Sequence, residues 1–107
     1  MLDKIDEAVA EFETLAIQWA TEDGEASKME KMEKILFSEL VNQSNETTVS
    51  KAEHWARDHR RYREHAMQMV VARTTANITK AKLNAKEMRF EAWRTAQATH
   101  RAEMNLR

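Results

Sequence analysis

The run from Ser50 to about Glu103 contains neither Gly nor Pro. Within it, side chains return every seven residues as Trp55, Tyr62, Met69, Ala76, Leu83 and Phe90, followed by Gln97 and Met104. Seven residues is nearly two turns of α-helix, so these positions line one slowly drifting edge. A run of about 54 residues would extend roughly 80 Å as a single helix. Ser50 and Glu53 have capping-box spacing, with the serine placed to accept from an orphan backbone N–H and the glutamate placed to reach back to the cap. A helix of this length leaves its apolar edge wet unless other elements cover it. The chain therefore reads as all-α and coiled-coil-like.

The cover is sought first in residues 1–46. Leu2, Ile5, Val9, Phe12, Ala16 and Trp19 fall at spacings of three and four, widened by Ala8 and Leu15, and predict a first helix over about 3–20. Asp3 suits its cap, and Asp6 and Glu7 lie where exposed N–H groups favour negative charge. Glu22-Asp23-Gly24-Glu25 reads as a stop, because it is polar and holds the only Gly in the chain. Ser27-Lys28-Met29-Glu30 reads as a second start, leading into a helix over about 28–41 with Met29, Met32, Leu36 and Leu40 on one side. Asn42 to Thr48 is entirely polar and long enough to reverse the chain. The expected fold is a short N-terminal helical hairpin packed on one long C-terminal helix over about 51–105, with residues 1–107 as a single all-helical domain. Two alternatives stay open. Gly24 can be tolerated inside one continuous first helix. The long helix can reverse at Thr74-Thr75-Ala76-Asn77-Ile78-Thr79, giving a four-helix bundle. Continuity is favoured there because Ala76 keeps the repeat in phase and no Gly or Pro fixes a turn.

Beyond the middle of the long helix the pattern doubles. Ile78, Ala81, Ala85, Met88 and Ala92 form one ridge, and Leu83, Phe90, Trp93 and Ala96 form another. Residues two apart are separated by about 200° around a helix, so the ridges face opposite ways. One ridge serves the internal core and the other calls for a second surface, which points to a homodimer or a protein partner.

A net charge of -1 conceals a division along the chain. Residues 1–46 hold twelve acids against four Lys/Arg, and residues 47–107 hold six acids against thirteen Lys/Arg. Either the two fields neutralise each other inside the fold, or part of the basic half stays free for phosphate or an acidic partner. The cations placed for such contact are Arg57, Arg60, Arg61, Arg73, Lys80, Lys82, Lys86 and Arg89. They are spread around the helix, which suits phosphate contact and not base reading. Trp55 and Tyr62 could stack on bases, but their place in the seven-residue stripe assigns them to packing.

Other chemistry finds little support. With no Cys there is no disulfide or thiol site. His54, Asp58 and His65 share roughly one side, yet neither Glu-x-x-His nor His-Glu-x-x-His occurs, and no metal is expected. There is no Gly-rich phosphate loop and no nucleophile elbow, so no cofactor, small-molecule substrate or enzymatic activity is expected. The N-terminus lacks the pattern of a secretion signal and no stretch approaches a membrane span, which makes a cytoplasmic protein without membrane association the expectation.

The segment Phe90-Glu91-Ala92-Trp93-Arg94-Thr95-Ala96-Gln97-Ala98-Thr99-His100-Arg101-Ala102-Glu103-Met104 resembles the ending of small all-helical proteins of tailed bacteriophages. That resemblance implies an accessory role beside DNA-processing proteins and brings no catalytic residue with it. The leading expectation is a non-enzymatic helical accessory protein that binds nucleic acid or a nucleic-acid-processing complex through its basic half. A rival is a protein-interaction module, such as a phage inhibitor of a host enzyme, acting through an acidic face of Asp3, Asp6, Glu7 and Glu11. A third is a structural spacer in a larger assembly.

Overall fold

The computed structural model describes residues 2–106; the side chain of Leu2, named above, lies outside the described residues. The chain forms three helices: α1 (Leu2–Gln43), α2 (Val49–Asp58) and α3 (Arg60–Asn105). α1 folds back on α2 and α3, and its main packing is with α3. The pairing is antiparallel, since Tyr62 meets Glu33, Arg73 meets Glu30 and Asp23, Thr79 meets Glu22, and Lys86 meets Glu11. The molecule measures 85 × 24 × 15 Å with a radius of gyration of 23.7 Å. A compact domain of this length would have a radius near 13 Å. The shortest dimension is little more than one helix diameter. The fold is thus a rod two helices wide and one helix thick.

The expected short hairpin is corrected by α1. Its helix runs without interruption through Gly24, where a stop was expected, and Ser27 lies inside it and not at a cap. Gly24 has no positive φ, and a Cβ built there would meet nothing within 4 Å, so neither turn geometry nor close approach uses its lack of a side chain. What carries the helix through is tertiary. Ile5, Phe12, Trp19, Ala26, Glu33 and Leu40 recur every seven residues across the glycine. This stripe faces the one already read on α3, and the packing outweighs the roughly 1 kcal/mol that an interior Gly costs.

Two further boundaries differ. The second half begins at Val49, capped by Thr48, whose side chain accepts from the Lys51 N–H at 3.3 Å; Ser50 is already in the first turn. The long helix is interrupted, and the interruption falls at His59. His59 has extended backbone (φ -66°, ψ 137°), and its Nδ1 accepts from the Arg61 N–H at 3.1 Å, which makes it the N-cap of α3. Its ring lies 5.1 Å from that of Trp55. Residues 74–79 are continuous helix within α3, so the chain does not reverse there into a four-helix bundle.

The core is a single file. Its buried apolar members are Ala26, Leu40, Ala52, Ala56, Ala76 and Leu83. Four of these six are alanines, which let the helices approach closely but contribute little apolar area each. Leu40 is the largest fully buried side chain. Burying a leucine completely is worth about 1.5–3 kcal/mol. At the closed end Phe37 packs against Tyr62 at 5.8 Å between ring centroids. Ser44 closes the turn: its N–H donates to the Leu40 carbonyl, and its Oγ accepts from the Glu46 N–H at 3.1 Å. Toward the other end cover runs out, and every residue from Glu87 to Leu106 is exposed.

Replacing His59 tests the cap. His59→Ala should lower stability by about 1 kcal/mol, whereas His59→Asp, which keeps a side-chain acceptor, should preserve it. Thermal unfolding followed by circular dichroism reads the difference, and equal midpoints for the two variants would rule out the capping role.

Candidate interaction surface

The eight cations named from the sequence fall into two groups. Arg73 projects from α3 toward α1 and is enclosed there: Nη1 donates to Asp23 at 2.6 Å, Nε to Glu30 at 2.8 Å and Nη2 to Ser27 at 3.3 Å. Only 31% of its side chain remains exposed. The hydrogen bonds to Glu30 and then Asp23 push its already high pKa further up. Lys80 sits 4.2 Å above the Trp19 ring, and Lys86 binds Glu11 at 2.7 Å. Arg57 lies 5.3 Å from the Phe37 ring centroid and 3.8 Å from Glu53, and Arg60 pairs with Glu64 at 3.5 Å. Arg61, Lys82 and Arg89 are exposed and have no acidic partner among the described residues. Four of the eight are thus engaged by α1, Arg60 stays largely exposed beside Glu64 of its own helix, and the three without an acidic partner do not form one patch.

The acidic face is divided in the same way. Glu11 accepts from Lys86, and this hydrogen bond with the attendant charge holds its carboxyl below the usual range. Asp3, Asp6 and Glu7 are exposed on the first turns of α1. Two of the three side chains considered for metal binding, His65 and Asp58, have other partners, and His54 is exposed. His65 lies with Nε2 2.7 Å from the Met29 carbonyl, so that nitrogen donates, and Asp58 pairs with Arg63 at 3.1 Å. Among the described residues no group of three or more His, Cys, Asp or Glu is placed to hold a metal ion. None of the described helices is long and apolar enough to cross a membrane.

Sequence reasoning missed the polar residues of the helix interface. Glu33 occupies a stripe position of α1, between Ala26 and Leu40, and accepts a 2.6 Å hydrogen bond from the Tyr62 hydroxyl. Thr79, buried in α3, donates to Glu22 at 2.7 Å. The signal was present as an acid at a seven-residue position among apolar ones. A polar residue at such a position fixes register, because sliding the helices would leave it unpartnered.

The apolar ridges separate as the spacing implied. Leu83 is buried against α1, while Ile78, Ala81, Ala85, Met88 and Ala92 are exposed on the far side of α3. Phe90 and Trp93 stack on each other at 6.0 Å between ring centroids, each 45% exposed. No protein family, curated protein or solved structure matches the chain.

Tyr62 is the only tyrosine, so its phenol can be titrated without overlap. The hydrogen bond to Glu33, with burial and the glutamate charge, raises its pKa above the ordinary value. The neutral phenol is the form that donates. The stabilisation is therefore complete below the unfolded value near pH 10 and disappears as pH climbs through the raised folded value. Glu33→Gln should shift the phenolate absorbance midpoint downward; an unchanged midpoint would show that the pair is absent in solution.

Proposed function

We propose that the protein is a non-enzymatic helical rod, an interaction module that works by packing its outer helix faces against other helices in an assembly. The observation that carries this reading is the disposition of charge and apolar surface. Arg57, Arg73, Lys80 and Lys86 are engaged by side chains of α1, and Arg60 pairs with Glu64 on its own helix, while large apolar side chains stand exposed on α3. Contiguous exposed apolar surface on a small protein marks a site of association. The opposite arrangement, with paired apolar faces and free cations, would have favoured nucleic acid. The likeness of residues 90–104 to small phage proteins would set such a rod beside a DNA-processing assembly as an accessory part.

Salt dependence of DNA binding separates the two uses. Each phosphate neutralised contributes about -0.9 to the slope of log K against log salt. Contact through only Arg61, Lys82 and Arg89 would give a slope no steeper than about -3, with binding weaker than about 10⁻⁴ M at physiological salt. Fluorescence anisotropy with labelled single- and double-stranded DNA measures both. A slope near -7, abolished by reversing Arg57, Arg60 and Arg61 together, would overturn the module reading and restore nucleic acid as the ligand.

A further inference from the structure

The outer side of α3 carries a second heptad seam. Starting at Met67, residues 71, 74, 78, 81, 85, 88 and 92 follow at alternating spacings of four and three, and none is charged. All are exposed, including Met67 at 71%, Ile78 at 52% and Met88 at 72%. The seam runs for about 39 Å. It lies opposite the stripe of Tyr62, Met69, Ala76 and Leu83 that faces α1. Alternating four-three spacing of uncharged side chains over nearly four heptads is the pattern that supercoiled helices use to pack.

We propose that the occupant of this seam is a second copy of the same chain, packed α3 against α3 in antiparallel orientation about a two-fold axis level with residues 79–80. The inference rests on the module reading and names its partner. The argument is self-complementarity. In this register Met67 meets Ala92, Val71 meets Met88, Thr74 meets Ala85 and Ile78 meets Ala81, and the two-fold repeats each pair. Three of the four pairs thereby set a larger side chain against an alanine, as close packing favours. Sliding by one heptad one way sets Ile78 on Met88 and leaves Ala81 on Ala85, and sliding the other way sets the Glu64 carboxylate on Met88. A parallel pair puts each residue on its own copy, so that Met88 crowds Met88 while Ala81 and Ala85 leave gaps.

The flanks fit the same arrangement. Lys82 falls beside Thr75, Arg89 beside Gln68 and Glu91 beside Val70, so no like charges meet. Asn77 falls beside Asn84, where the two amides can hydrogen-bond. The outer side of α1 offers no equivalent, because Glu7, Lys28 and Lys31 interrupt it. Only α3 can supply the matching seam, and a two-fold contact of this kind closes on itself.

The chain contains no Cys, so single cysteines report the geometry directly. Sedimentation equilibrium of the full chain should give twice 12.5 kDa. Mixed Val71→Cys and Met88→Cys variants should cross-link with each other when oxidised by diamide, while neither cross-links alone. Ile78→Glu, on the side away from α1, should halve the mass while keeping full helicity by circular dichroism. A monomeric parent chain overturns the proposal, as does a higher oligomer. Cross-linking of either variant with itself overturns the antiparallel register. A monomer with the shallow salt slope given above removes this partner and leaves the module reading intact, whereas a slope near -7 removes that reading.

Discussion

The clasp of Arg73 on α1 is the contact on which the arrangement of the two long helices depends. Its planar fork has donors in fixed directions, and it engages Asp23, Ser27 and Glu30, which lie on successive turns. Those turns flank Gly24, the weakest residue of α1. One side chain from α3 thus holds α1 on both sides of this glycine and fixes the register of the pair. A lysine could satisfy one carboxylate as a point charge but could not span both. Around the clasp the pairings Tyr62–Glu33 and Thr79–Glu22 repeat the register with shorter-range polar contacts.

These polar contacts explain how a rod with so little core holds one alignment. Alanine-rich helices can slide past one another with small changes in apolar contact, since successive layers resemble each other. A carboxylate opposite a phenol, or opposite a buried threonine hydroxyl, has only one satisfactory neighbour. Displacing it leaves a partly buried polar group without a hydrogen bond, at a cost of about 1–3 kcal/mol. Apolar burial supplies attraction here, and the acids of α1 supply specificity.

Much of the second half was legible in the sequence because packing there follows the repeat. The edge from Tyr62 to Leu83 faces α1, residues 74–79 stay helical despite their threonines, and the two ridges do face apart. The first half was misread where local signals and tertiary packing conflict. Gly24 and the Ser27 capping-box spacing are local cues for a boundary, and the seven-residue stripe through Trp19, Ala26 and Glu33 overrides them. Thr48 was hidden as a cap because Lys51 stands where a capping box would place an acid. His59 carries the break through a ring nitrogen that accepts from Arg61, a role that histidine does not announce in sequence. The basic residues showed their charge but not their partners, because the carboxylates that bind Arg73 and Lys86 lie some 43 to 75 positions away in the chain.

The polar turn between α1 and α2 also sets how the rod can assemble itself. Moving away from it, cross-helix contacts join residues ever farther apart in sequence, from Phe37–Tyr62 through Arg73–Glu30 to Lys86–Glu11. Each layer is brought together by the one before it, so the chain closes as a zipper and no layer pays the full loop-closure entropy of its own separation. Opening follows the reverse course. The tip where α1 begins and α3 ends is the first part to separate, and local stability rises stepwise toward the turn.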